Sequence, residues 1–172
     1  MGSKARQIIF GLLVMIAIVS CEQEQSARRM PTKRDMMEYN RRLVRMDSMC
    51  IVAYSDTAGL NTQPTPSGLW ITMHEEGSGD VVEKGQTVVL KYKISDLLGH
   101  EFYNSERDGE KMFAAGRGHE VSGLDEAVVG MHRGSKATLI LMPDKAYGLI
   151  GDEQRISGRI ILRYDIEVKA VK

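Results

Sequence analysis

The 172-residue chain holds 23 basic and 23 acidic residues and only 6% aromatics. That length fits one ordinary domain with room for a short extension. A formal net charge of +0 gives no electrostatic reason to bind nucleic acid, and two cysteines cannot build a disulfide framework.

The N-terminus reads as an address. Lys4 and Arg6 come first, no acid precedes Cys21, and an apolar run covers residues 8–19. A secretory signal has this order, and the run is shorter than the roughly 18–20 apolar residues that span a bilayer. Without this segment, simple charge counting leaves a net of about −2. The run ends in Ile18-Val19-Ser20-Cys21, which resembles a bacterial lipobox. The resemblance implies that residues 1–20 are a lipoprotein signal peptide, cut before Cys21, with a diacylglycerol on the Cys21 sulfur. Two or three acyl chains anchor stably where one does not. The location implied is the cell envelope, on the periplasmic side of a membrane. An uncleaved signal anchor is the competing reading. Residues 21–31 are polar and read as a tether.

Residues 32–66 read as a helical extension and linker. Thr32 and Asp35 have capping-box spacing after Pro31. Met36, Tyr39, Leu43, Met46, Cys50 and Ala53 then recur at three- and four-residue steps, which predicts a helix to about Tyr54 with one apolar face. That face either packs on the following domain, making Cys50 a core residue, or joins a second copy of the chain. Gly59, Pro64, Pro66 and Gly68 mark a turn-rich linker.

From residue 67 to residue 172 the pattern is that of strands. Residues 69–73, 86–95, 101–103, 112–114, 135–142 and 160–171 are the candidates. The longer ones alternate: Val88, Leu90, Tyr92 and Ile94 share one face, as do Leu162, Tyr164, Ile166 and Val168. One-sided strands make an antiparallel sheet with one wet face. One short helix interrupts them. Ser122 is its expected cap, and Leu124, Val128 and Met131 share a face. The predicted fold is α+β, a twisted antiparallel sheet wrapped on one short helix, with an added N-terminal helix.

Seven pieces of this region, in order, resemble the FKBP-type peptidyl-prolyl cis–trans isomerase domain. They are residues 83–88, Lys91-Tyr92, Gly99-His100-Glu101-Phe102, residues 120–127, Gly130-Met131 with residues 134–137, Pro143-Asp144-Lys145-Ala146-Tyr147-Gly148, and residues 164–168. The N-terminal helix and lipobox resemble isomerase lipoproteins of the gliding-motility-associated type. The resemblance implies a prolyl isomerase that assists folding of exported proteins, with proline-containing peptides as partners and no cofactor.

A prolyl imide rotates over a barrier of about 18–20 kcal/mol, and unaided it takes tens of seconds or more. Lowering that barrier needs no nucleophile or metal. It needs a dry apolar cleft and a few donors that fix the flanking carbonyls. By resemblance, Tyr92, Phe102, Phe113, Val121, Leu124, Ile156 and Tyr164 line the cleft, with Leu124 as its floor. The Tyr147 hydroxyl meets one substrate carbonyl and the Val121 N–H another. Tyr147, Val121 and Phe102 are the implied catalytic set. The others, with Tyr103, bind substrate.

Three departures from the family pattern stand out. A tryptophan is frequent where Leu124 stands, so the floor here is smaller and macrolide affinity lower. An aspartate usually follows the pocket phenylalanine, and here Tyr103 does. The loop of residues 151–158 lacks the usual prolines and carries Asp152, Glu153 and Arg155, which predicts a charged rim. The lost aspartate keeps a non-catalytic peptide-binding or chaperone lipoprotein as the alternative. His74, His100, His119 and His132 lack metal-ligand spacing and read as surface residues. Gly116-Arg117-Gly118 lacks a phosphate-loop context and reads as a turn.

Overall fold

The structure, a computed structural model, describes residues 30–172. The expected signal peptide, the Cys21 lipidation site and nearly all of the tether lie outside the described residues. The chain divides into a segment Met1–Arg42 and a compact unit Leu43–Lys172.

Helix α1 runs Lys33–Ala58. Its start is the predicted capping box. The Thr32 hydroxyl accepts the Asp35 N–H at 3.2 Å, and the Asp35 carboxylate accepts the Thr32 N–H at 2.8 Å. Its end is one turn later than expected. Gly59 takes the left-handed conformation at φ 65°, and the Leu60 N–H reaches back to the Ser55 carbonyl at 2.9 Å. Glycine there closes the helix without a Cβ penalty.

The apolar stripe read from the sequence is not the packed face. Met36, Tyr39, Met46, Cys50 and Ala53 are exposed and Leu43 is half-buried. Cys50 is therefore a surface thiol and not a core residue. Within the compact unit the packed side is Asp47, Ile51, Tyr54 and Ser55. Ile51 is fully covered and packs with Trp70, Ile140 and Met142. Asp47 pairs with Arg159 at 3.0 Å, and the Tyr54 hydroxyl accepts a bond from Arg163 at 2.6 Å.

Seven strands form one antiparallel sheet: β1 Gln63–Pro64, β2 Trp70–Glu75, β3 Thr87–Asp96, β4 Glu101–Asn104, β5 Lys111–Ala114, β6 Lys136–Leu141 and β7 Leu162–Val171. Their order is β1-β2-β6-β7-β3-β4, and β5 also pairs with β3. β3 is long enough to hold two short partners end to end, β5 along its first half and β4 along its second. The predicted strands are all present, and β1, inside the expected linker, is an addition. A single-turn helix α2, Ser105–Asp108, is a second one; Asn104 caps it by accepting the Arg107 N–H.

The period of two decides the two faces. Val88, Leu90, Tyr92 and Ile94 on β3 meet Leu162, Tyr164, Ile166 and Val168 on β7 in the main core. Helix α3, Ser122–Val128, covers that face with Leu124 and Val128, both fully buried. Gly123 permits the close approach, since a Cβ there would lie 2.5 Å from Leu141 Cδ2 and 3.1 Å from the Lys145 carbonyl. Ser122 does not cap α3. Val121 occupies the cap position without a side-chain bond. The other sheet face is only part wet, because Ile51 of α1 covers Trp70 and Ile140. Among the described residues, no helix is long and apolar enough to cross a membrane.

Candidate active site

The nine residues singled out from the sequence fall in one place. Tyr92 on β3, Phe102 on β4, Phe113 on β5, Leu124 on α3, Ile156 in the loop before β7 and Tyr164 on β7 are all buried in the main cluster. Tyr103, Val121 and Tyr147 are half-buried and pack against it. Leu124 and Tyr164 are fully covered. Tyr147 follows a short 3-10 turn at Pro143–Lys145. A hollow of about 490 Å³ borders Tyr147 and continues along residues 148–153. Leu149 and Ile150 stand exposed beside it.

Val121 and Tyr147 carry the two candidate donors. Val121 has φ −56° and ψ 141°. Its carbonyl accepts the Asp125 N–H at 3.0 Å. Its own N–H finds no acceptor among the described residues. The Tyr147 hydroxyl contributes to raising the pKa of Tyr92, Tyr103 and Tyr164, after burial, which is the main cause in each. Tyr147 and Tyr103 both pack against the cluster that holds Tyr92 and Tyr164. Phe102 is steadied by His100, whose ring meets it edge-on at 4.8 Å.

Sequence reasoning missed the polar collar around these residues. The Tyr103 hydroxyl donates to Asp152, and the Arg155 guanidinium lies 4.6 Å from the Tyr103 ring centre. Asp152 Oδ1 also accepts the N–H groups of Gln154, Arg155 and Ile156 at 2.8–3.0 Å. Burial pushes the Asp152 carboxyl up, but the Tyr103 hydroxyl and those N–H groups outweigh it and hold the carboxyl low. Asp108 takes the Asn104 N–H and bonds from Arg107 and Arg155, which hold it well below the carboxylate range. Asp152 and Arg155 are therefore not a free charged rim. They fasten the loop to β4, and Asp152 meets the side chain that replaces the family aspartate. On the opposite wall Lys111 bonds both Glu120 oxygens, at 2.8 and 2.9 Å, and lies 5.3 Å from the Tyr92 ring centre. Asp125 is buried and accepts the N–H groups of Gly116 and Gly118 at 2.8 Å each, which fixes the predicted turn. No local pattern announces these partners, because most lie in separate elements.

Burial, then the Asp152 bond, pushes the Tyr103 phenol up from 10 to about 12. A raised pKa contributes stability in full below the ordinary value, and that stability is lost as pH climbs through the folded value. Unfolding midpoints should therefore drop between pH 10 and about 12. Tyr103→Phe should flatten that drop, and midpoints that fall equally in both proteins would remove Tyr103 as the cause.

A separate groove of about 570 Å³ lies on the other sheet face, lined by His74, Lys91, Lys93, Asp165 and Glu167 among others. Its walls are charged, and Thr138 there links His74 to Asp165 by bonds of 2.8 and 2.6 Å. Tyr92, Ala137 and Ile166 also line it.

The family model described as FKBP-type peptidyl-prolyl cis-trans isomerase matches residues 79–169, more than half of the chain. This chain belongs to the FKBP-type isomerase family. FK506-binding protein 1 of Gibberella zeae is 33% identical over 109 residues, 60% of this chain and 98% of that protein. The isomerase FkpA of Escherichia coli is 31% identical over 119 residues, 69% of this chain but 43% of FkpA. The crystal structure of AtFKBP13 matches with a TM-score of 0.61 at 27% identity, over 65% of this chain and 99% of that one. The crystal structure of FkpA shares the fold with a TM-score of 0.64 at 23% identity, over 98% of this chain and 82% of that one. As an FKBP-type isomerase, the protein acts on proline-containing peptides.

Proposed function

We propose that this FKBP-type isomerase speeds the folding of exported proteins while held on the periplasmic side of a membrane by a lipid on Cys21, with the cluster above Leu124 as its site. One observation supports the site: the half-buried Tyr147 and Val121 pack against the cluster that holds a fully covered Leu124, and the Val121 N–H has no acceptor among the described residues. A proline ring seated on that apolar floor leaves water, and the imide twists in a medium that does not favour the charge-separated planar form. Val121 N–H and Tyr147 hydroxyl hold the flanking carbonyls while the bond turns. No proton leaves or enters the substrate, so no residue of tuned acidity is required.

The test uses the chain from residue 22 to residue 172 and the cis-to-trans relaxation of a proline tetrapeptide. Acceleration is expected, reduced by Tyr147→Phe. Relaxation at the uncatalysed rate would leave a peptide-binding role on the same fold.

The lipobox resemblance supports the anchor. Cys21→Ser should move the protein from the membrane fraction to the soluble one; unchanged membrane retention would contradict it. The exposed Met36, Tyr39, Met46 and Cys50 on α1 support a second role for that helix, pairing with another copy of the chain. Sedimentation with and without residues 32–55 tests this, and no change in association state removes it.

A further inference from the structure

Among the described residues, two residues other than glycine take a positive φ, Glu153 at 59° and Arg159 at 63°. Both lie in the loop that runs from Tyr147 to β7. Glu153 has a local reason. The Asp152 carboxylate accepts the N–H groups of Gln154, Arg155 and Ile156 and so bends the chain around it. Arg159 has a distant one. Its guanidinium Nη2 donates to both carboxylate oxygens of Asp47 on α1, at 3.0 Å each. The pair is sheltered, with 34% of the Arg159 side chain and 14% of the Asp47 side chain exposed, so salt screens it less than a surface pair.

The main chain shows what Arg159 does for the loop. Its N–H donates to the Gly148 carbonyl at 2.9 Å, directly after Tyr147. The two arms of the loop lie against each other there. An added Cβ on Gly158 would overlap the Leu149 carbonyl oxygen, and one on Gly151 would overlap that of Ile156. Tyr147 opens the first arm, and Ile156, buried in the main cluster, belongs to the second. The Gly148 N–H is tied as well, to the Pro143 carbonyl at 2.7 Å. On the far side of Arg159, β7 starts at Leu162 and is fixed between two strands. An arginine in the left-handed region is disfavoured, because its Cβ crowds the backbone carbonyl. Relaxing to a negative φ would turn the loop against β7 and break the bond to Gly148. Glycine would take the same φ without strain. The arginine is accounted for by what its side chain reaches.

We propose that Arg159 is a positioning residue for the isomerase site: clamped by Asp47, it holds the loop that presents Tyr147 and Ile156. The proposal rests on the reading that places the prolyl site beside Tyr147. Neither Asp47 nor Arg159 touches substrate. They act through the Gly148 carbonyl, and α1 thereby supports the site as well as the fold.

Four variants of the full chain separate this role from simple docking of α1. Each is assayed for kcat/KM on the proline tetrapeptide and for the nitrogen-15 amide shift of Leu149, which shares a peptide plane with the Gly148 carbonyl. Arg159→Ala loses the clamp and keeps a strained Cβ. Its kcat/KM should fall roughly fivefold or more, and the Leu149 amide should move. Asp47→Ala should do the same. Arg159→Gly also loses the clamp but needs none, so its kcat/KM should stay within about twofold of the parent. Tyr54→Phe removes the bond between α1 and Arg163 and should leave kcat/KM at the parent value. Equal losses in Arg159→Gly and Arg159→Ala would overturn the proposal, because the side chain would then matter for docking and not for the backbone it holds. A loss in Tyr54→Phe that matches Asp47→Ala would overturn it too, as would full activity in Arg159→Ala. If Tyr147→Phe leaves kcat/KM intact, the site reading falls by itself. The Leu149 amide then still decides the clamp, and an amide unmoved in both Asp47→Ala and Arg159→Ala removes it.

Discussion

Leu124→Ala is expected to lower folding free energy by about 2–5 kcal/mol, toward the upper part of that range, and to remove most isomerase activity. The cost of a large-to-small change depends on how far the surroundings can collapse. Here they cannot move far. α3 has only seven residues, and Gly123 already stands so close to Leu141 and the Lys145 carbonyl that the helix cannot slide toward the sheet. Asp125, one residue further on, is tied to Gly116 and Gly118. The truncated side chain therefore leaves a void under the place where a proline ring would sit. Denaturant unfolding gives the stability change, read from a shifted midpoint at constant slope, and the tetrapeptide assay gives the activity. A loss below about 1 kcal/mol with full activity would show that Leu124 is neither a keystone of the core nor the floor of the site.

Val121→Pro should also remove activity, but spare the fold. Val121 has φ −56°, within the range a proline ring imposes. Its N–H has no acceptor among the described residues, and the carbonyl that accepts the Asp125 N–H is kept. Proline at this position therefore deletes one donor and little else. Stability should change by less than about 1 kcal/mol, and kcat/KM should fall roughly tenfold, the worth of one hydrogen bond to a carbonyl. Full activity in a folded Val121→Pro protein would mean that substrate is held by other donors.

Much of this was readable from the chain because the signals were local. Alternation placed Val88, Leu90, Tyr92 and Ile94 on one face, and the turns between strands fell where glycines stand. The candidate cleft residues came from short motifs, and four strands, one helix and the loops between them bring these residues into one cluster. The errors came from long-range partners. On α1, counting apolar residues selected the methionine-rich stripe, whereas the packed face holds Asp47, Ile51, Tyr54 and Ser55. Only Ile51 there is strongly apolar; Asp47 and Tyr54 dock through arginines 112 and 109 residues away. A periodicity argument cannot see polar bonds to a distant loop and strand. The same holds for Tyr103, read as a lost carboxylate, which instead bonds Asp152 49 residues later. Nothing in the sequence signals that Lys111 pairs with Glu120 nine residues later, beside Tyr92.

The central claim is that prolyl peptides bind over Leu124 and not in the charged groove on the outer face of the sheet. Titrating a proline tetrapeptide into nitrogen-15-labelled protein and following the backbone amides tests it directly. The account predicts saturable shifts at Phe102, Val121, Tyr147 and Ile156, with His74, Lys91, Lys136 and Asp165 unmoved. Shifts confined to the second group, with Val121 and Tyr147 silent, would contradict it.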